Sequence, residues 1–221
     1  MPTRCYARLP FAGGAWYGHV LSGTARFFYD LCGCGVVREK RSDMKQKAVI
    51  LDEEKLKKTI ARLSHEIIES NPDLREVVLV GIKTRGIPFA GRLAAAIELF
   101  TGERVNVDEL DISLYRDDLT EISAFPEVKN VPLKQNVAGK TVVICDDVIF
   151  TGRTARAAID AIVSCGRPAR IRLAVVVDRG HREFPIKPDH IGKNVPTSRE
   201  EVVSVRFTET DGEDSVSIWE N

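Results

Sequence analysis

VVICDDVIFTGRTARAAIDAI, residues 142–162, decides how the rest of the chain is read. Val142, Val143, Ile144 and Cys145 form a short apolar run without polar alternation, the pattern of a central strand in a parallel sheet covered on both faces. Asp146 and Asp147 end that run. Thr151, Gly152, Arg153 and Thr154 then lead into a helix, because Ala155, Ala158, Ile159 and Ile162 recur at helical spacing. The loop therefore sits at a helix N-terminus, where N–H groups lack intrahelical partners and the helix dipole adds positive charge.

A phosphate can settle in such a loop. Gly152 lets the backbone come close, and Thr151 and Thr154 supply hydroxyl donors. Two adjacent carboxylates would repel a phosphate and suit hydroxyl donors instead. The group that carries a phosphate at one end and vicinal hydroxyls at the other is a ribose 5-phosphate. No Gly-Lys-Thr or Gly-Lys-Ser follows the strand and no GxGxxG is present, which argues against nucleoside triphosphate and dinucleotide sites. The plainer alternative, that Asp146 and Asp147 cap a turn which Gly152 permits, leaves the whole strand, acid, small-residue and helix order to coincidence.

The order of apolar strand, Asp-Asp, Val148-Ile149-Phe150, Thr-Gly-Arg-Thr and helix resembles the phosphoribosyl pyrophosphate (PRPP) motif of type I phosphoribosyltransferases. The resemblance implies an α/β fold with a largely parallel central sheet flanked by helices and a flexible hood loop. A C-terminal β-hairpin is expected from Val202–Phe207 and Ser215–Ile218, with Asp211-Gly212 as its turn.

Composition narrows the partners. The 221 residues are 43% hydrophobic and 29% charged, enough for one substantial domain. Lys plus Arg and Asp plus Glu are both 32, so bulk charge does not draw the chain to nucleic acid, and any such contact needs a local patch. No apolar run is long enough to span a bilayer, so no membrane partner is expected. Cys145 and Cys165 read as small hydrophobes in a reducing cytoplasm.

Residues 1–43 do not match the rest: they hold three of the five cysteines and show no sustained period. Cys5, His19, Cys32 and Cys34 fit no common zinc spacing. This extension is expected to be disordered, or to arise from translation upstream of the natural start, with a complete domain over residues 44–221.

After Met44, Ala48 to Leu51 precede Asp52, an N-cap for a helix whose inward face is Leu56, Ile60, Leu63 and Ile67. Lys55, Lys58, Arg62 and His65 form a basic stripe on its other side, readable as an RNA-phosphate contact or as a solvated face. Val77–Val80 is a second buried strand. Gly81-Ile82-Lys83-Thr84-Arg85-Gly86 follows, and then a helix with Pro88 in its first turn and Leu93, Ala96, Ile97 and Phe100 inward. This is again an anion-binding arrangement, although Lys83 and Arg85 taken alone read as surface cations. Val105–Leu114 is a half-exposed strand, and Leu119–Asn136 is a long aperiodic loop of the kind that serves as a lid. Ile171–Val177 is another apolar strand. The stretch from Arg179 to Arg199 is basic, and the segment from Glu200 onward is acidic.

Six stretches, QKAVILDE, LVGIKTRGI, LYRDDL, DDVIFTGRT, VDRGHREFPI and IGKNVPTS, are similar to a bacterial family of pyrimidine-operon attenuation regulators with uracil phosphoribosyltransferase activity. Phe150 stands where that family leads one to expect Tyr. The resemblance implies a reaction of uracil with PRPP to give UMP and pyrophosphate. Mg²⁺ is then held by the substrate, and no direct protein ligand to metal is expected. It implies that Asp146 and Asp147 hold the ribose hydroxyls, that Thr151, Gly152, Arg153 and Thr154 anchor the 5-phosphate, and that Val148, Ile149 and Phe150 also bind substrate. Thr84, Arg85 and Arg116 meet pyrophosphate, Arg179 meets pyrophosphate or the base, and Val203 presents backbone to uracil. Catalysis falls to Asp146, Asp147 and Arg85. The resemblance also implies binding of pyrimidine-operon mRNA when UMP or UTP is present, with Arg62, His65, Arg182, Lys187 and Lys193 as the candidate face, and a homodimer or larger homo-oligomer. A salvage phosphoribosyltransferase without RNA regulation is the alternative.

Overall fold

The computed structural model describes residues 44–112 and 133–220. The expectations for residues 1–43, for Arg116 and for most of the lid segment lie outside the described residues. The chain runs β1 (Lys45–Leu51), α1 (Glu53–Ser70), β2 (Val77–Ile82), α2 (Gly86–Thr101) and β3 (Asn106–Leu110). It continues β4 (Thr141–Ile149), α3 (Arg153–Cys165), β5 (Arg170–Asp178) and β6 (His190–Asn194). It closes with β7 (Val202–Arg206), the one-turn α4 (Thr208–Asp211) and β8 (Ser215–Glu220).

β3, β2, β4, β5 and β6 lie in that order in a five-stranded sheet, and every pairing in it is parallel. β1, β8 and β7 make a separate antiparallel sheet. The expected apolar runs fill the centre of the large sheet because both its faces are covered. On β4, Val143 and Cys145 join a core with Leu56, Leu63, Phe89 and Leu93 of α1 and α2. Val142 and Ile144 join the opposite core with Ala155, Ala158 and Ile162 of α3. Alternate side chains of one strand thus feed two cores. The small sheet adds Val205, Val216 and Ile218 to the first core, and Phe207, just past β7, joins them.

This arrangement creates a crevice. The chain leaves β2 through α2 to β3 on one side of the sheet centre, and leaves β4 through α3 to β5 on the other. The neighbouring C-terminal ends of β2 and β4 are therefore where connections diverge to opposite faces, the usual ligand position in open α/β sheets.

Several expectations need correction. Phe100 is 41% exposed and stacks on His65 with centroids 4.2 Å apart, because it lies in the last turn of α2, outside the stripe that faces the sheet. Asp211-Gly212 is not a two-residue hairpin turn. Asp211 ends α4, and Gly212, in the left-handed region at φ 79°, caps that single turn. The edge strand β6 was not anticipated, since His-Ile-Gly-Lys-Asn has neither an apolar run nor clean alternation. Among the described residues no helix is long and apolar enough to cross a membrane.

Candidate active site

The cradle after β4 forms as the sequence suggests. Gly152 occupies the N-cap of α3 at φ 92°, a backbone region that favours glycine, and its carbonyl accepts Arg156 N–H at 2.9 Å. Thr151 Oγ1 accepts the Arg153 amide at 3.4 Å. Asp146, Val148, Ile149, Phe150, Thr151, Gly152, Arg153 and Thr154 line one cavity of about 270 Å³. The bound phosphate expected there would meet the first amides of a thirteen-residue helix.

The acid pair is positioned by backbone. Asp146 Oδ1 accepts the Asp147 amide at 3.0 Å, and Asp147 Oδ1 accepts the Val148 amide at 2.9 Å. Burial pushes the Asp147 carboxyl up from the usual aspartate range, and the Arg85 guanidinium works against that rise. Asp146 lines the cavity, whereas Asp147 faces the field of Arg85.

Thr84 and Arg85 belong to the loop after β2. A Cβ on Gly81 would lie 2.6 Å from the Gly86 carbonyl oxygen, and one on Gly86 would collide with the Cys145 carbonyl, so both glycines let the start of α2 press against the sheet. The Lys83–Thr84 peptide bond is cis. Lys83 is taken up locally: its amide donates to the Leu110 carbonyl at 2.9 Å and its Nζ lies 3.2 Å from Asp111. Arg85 stands at the N-cap of α2 and forms a two-bond pair with Asp211, Nε to Oδ2 at 3.1 Å and Nη2 to Oδ1 at 2.8 Å. That partner was missed from the sequence, where Asp211 reads as a turn residue.

The loop after β5 closes the cradle from outside. Glu183 and Phe184 amides donate to the Thr151 carbonyl at 2.9 and 3.1 Å. Phe184 also lies under the guanidinium of Arg153, 5.3 Å from the ring centroid. Arg182 braces this loop, donating to the carbonyls of Phe150 at 2.7 Å and Ile186 at 2.9 Å and to Asp178 Oδ2 at 2.7 Å. Arg179 is buried over the Phe150 ring at 4.1 Å and donates to Thr197 Oγ1, the Ser198 carbonyl and the Glu201 carbonyl. Burial works against its charge, and the Glu201 carboxylate offsets part of that effect.

Other expected site residues lie apart. Val203 sits on β7 opposite Ile218 with its side chain in the first core, and it does not line the cavity. Of the candidate RNA residues, Arg62 pairs with Glu66 and donates to the Ile191 and Gly192 carbonyls of β6, which ties α1 to the sheet edge. Arg182 is the brace just described. Lys187 and Lys193 are exposed, and exposed His65 stacks on Phe100. In the basic stripe, Lys55 pairs with Asp52 and Lys58 with Glu54 on the same helix.

Comparison with known proteins agrees with this geometry. The phosphoribosyl transferase domain family profile matches residues 47–209. The bifunctional protein PyrR of Clostridioides difficile is 55% identical over 177 residues, which cover 80% of this chain and 100% of that protein. PyrR of Thermus thermophilus is 53% identical over 177 residues, 80% of this chain and 98% of that protein. A hypoxanthine phosphoribosyltransferase from Staphylococcus aureus superposes with a TM-score of 0.59 at 20% identity, covering 78% of this chain and 92% of that one, and so shares the fold. A motif-bearing crevice in a type I phosphoribosyltransferase fold, with relatives aligned over nearly their whole length, leads to one assignment: the chain belongs to the PyrR family of phosphoribosyl transferase domain proteins.

Proposed function

We propose that this chain is a bifunctional regulator of pyrimidine synthesis. It converts uracil and PRPP to UMP and pyrophosphate, and with UMP or UTP bound it grips a stem-loop in pyrimidine-operon mRNA and promotes transcription termination. The observation that carries the reading is the cavity at the end of β4, where an amide-oriented carboxylate and a glycine-capped helix N-terminus face one volume. That spacing of acid and cradle suits the two ends of a ribose 5-phosphate. Both activities belong to residues 44–221, acting as a homodimer or larger assembly in the cytoplasm, where PRPP and nascent mRNA occur.

In the transferase reaction the bond from the ribose C1′ to pyrophosphate breaks and a bond to uracil N1 forms, through a ribose with oxocarbenium character, and the N1 proton is released to solvent or to the departing pyrophosphate. Asp146 and Asp147 hold the ribose hydroxyls and offset the developing positive charge, and the 151–154 loop anchors the 5-phosphate. Thr84, Arg85 and Arg116 receive the departing pyrophosphate. Arg179, held over Phe150 beside the Glu201 carbonyl, serves the base side, and backbone near Val203 completes the uracil site. The adjacent carboxylates of Asp146 and Asp147 offer hard oxygen atoms compatible with a Mg²⁺ that arrives with PRPP. An ion bound in that way would supply positive charge to the departing pyrophosphate.

RNA recognition falls to the exposed Lys187 and Lys193 with His65. Arg62 and Arg182 contribute by holding β6 and the loop after β5 in place, as their internal bonds indicate. The same bonds favour a second reading, a salvage transferase without RNA regulation. Two measurements on the purified chain test the pair. UMP formation from uracil and PRPP with Mg²⁺ is expected, and its absence would remove the transferase. Binding of a pyrimidine-operon stem-loop is expected to tighten with UMP and to weaken with salt; equal binding to a scrambled RNA would leave only the salvage enzyme.

A further inference from the structure

The acidic connection between β7 and β8 has no place in the reaction as described, yet its Asp211 pairs with Arg85. We infer that Asp211 is a positioning residue for Arg85, so that the β7–β8 connection sets the geometry of the pyrophosphate subsite from outside it. The inference rests on the reading of Arg85 as a pyrophosphate ligand.

Arg85 donates from Nε and Nη2 to the two oxygens of one carboxylate. A two-bond fork fixes the plane of the guanidinium as well as its place. Asp211 is itself fixed, since its Oδ2 also accepts Thr210 Oγ1 at 2.8 Å and the Phe207 amide at 3.3 Å. The turn that carries Asp211 is bolted to the same helix as Arg85. Arg92, seven residues along α2, donates to both oxygens of Glu209 and both oxygens of Asp214, and it lies 5.0 Å from the ring centroid of wholly buried Phe207. Asp214 in turn accepts the Thr208 amide and hydroxyl at the start of α4. Positions 85 and 92 are two helical turns apart and share a face of α2, so one acidic turn clamps both arginines.

This clamp has a use at the subsite. Nε and Nη2 are spent on Asp211, which leaves Nη1 as the guanidinium nitrogen without a hydrogen bond among the described residues. The Asp147 carboxylate and the Arg85 guanidinium lie within each other's electrostatic field. A mobile arginine would lose rotamer freedom on meeting pyrophosphate, whereas one already held loses little. Asp211 thereby favours PRPP without touching it, and the contribution is specific to the phosphate end of the reaction.

Asp211→Asn in the full chain tests this, with KM for PRPP, KM for uracil, kcat and the thermal midpoint measured together. KM for PRPP is expected to rise about tenfold with KM for uracil within about twofold, because only the pyrophosphate contact loses its geometry. Asp211→Glu, which keeps the charge, should recover most of that rise. Glu213→Gln, on the same connection but paired with Arg206, should change neither constant. An unchanged KM for PRPP overturns the inference. A lowered one does so too, since it would mean that Asp211 competes with pyrophosphate for Arg85, and equal rises for PRPP and uracil would reduce the effect to general disorder. Should Asp211→Asn not fold, Thr210→Val removes one of the bonds that fix Asp211 and should raise the same KM about twofold; no rise overturns the inference. A wild-type chain that forms no UMP and binds no pyrophosphate would instead remove the transferase reading, a result separate from a wild type and an Asp211→Asn variant that behave alike.

Discussion

Two acidic clusters in this molecule are chemically alike in sequence and opposite in structure. At the end of β4, Asp146 and Asp147 accept backbone amides from the residues that follow them. Between β7 and β8, Asp211 accepts paired bonds from Arg85 at the N-cap of α2, and Glu209 and Asp214 accept them from Arg92 within it. An amide orients a carboxylate and leaves its charge in place, whereas a guanidinium orients it and cancels the charge. The ionisation differs accordingly. Burial pushes Asp147 up, while Arg85 and Arg92 hold Asp211 and Asp214 well below the usual carboxylate range. On the proposed reading the first cluster serves a ligand, whereas the second spends its charge on the scaffold.

The sharpest way to break this contrast is to neutralise each cluster in turn. Asp146→Asn and Asp147→Asn should each lower kcat for UMP formation by roughly 10²–10³-fold, since a charge that faces the reacting ribose is lost while the amide bond survives. Their thermal midpoints should stay near that of the wild type. Arg92→Met should do the reverse. It leaves Glu209 and Asp214 without their cation and should cost about 2 kcal/mol in urea unfolding, with a smaller effect on kcat. If Asp147→Asn unfolded the protein as readily as Arg92→Met, the two clusters would share one structural role.

A pH series separates the clusters more gently. Asp147 has a raised folded pKa, so the charged form that catalysis needs is lost as pH falls through a value above the usual aspartate range of about 3.9. Asp214 has a depressed one, about 2, so its stabilising contribution is fully present above the unfolded value and is lost only as pH falls through about 2. Acidification should therefore reduce kcat/KM for PRPP before it lowers the thermal midpoint. A common acid limb for the two curves would count against separate roles.

How legible each cluster was follows from where its partners lie. The β4 cluster was readable because strand, acids, glycine and helix follow one another within Val142–Ile162, and all the interactions that shape it are local. The parallel sheet was readable from the same local runs. The β7–β8 cluster was not, since Asp211 meets Arg85 across 126 positions and Asp214 meets Arg92 across 122, and no periodicity reports such a pairing. Asp-Gly taken alone matched a hairpin turn, and the one-turn helix there exists because Asp214 caps Thr208 and the arginines hold it. Arg62 and Arg182 show the same limit in reverse. Their charge suggested an outward face, and the sequence does not show that carbonyls far along the chain, at Ile191, Gly192 and Phe150, accept hydrogen bonds from their guanidinium groups.

Phe150 supplies the smallest test, because it offers Arg179 a third kind of partner. Arg179 is buried, its three bonds go to a hydroxyl and two carbonyls, and its flat face covers the Phe150 ring at 4.1 Å. A ring attracts a cation through its quadrupole without cancelling its charge, so Arg179 is oriented without a carboxylate partner, and on the proposed reading it serves the base side as the β4 acids serve the ribose side. Phe150→Tyr keeps that face and should change kcat/KM by less than about twofold, within the range of a mild substitution. Phe150→Leu removes the face and should weaken uracil use by about fivefold, corresponding to about 1 kcal/mol, with KM for PRPP affected less. If Phe150→Leu raised KM for PRPP and spared uracil, Arg179 would belong with Arg85 on the pyrophosphate side, and the division between base and phosphate ends drawn from its three backbone and hydroxyl bonds would fall.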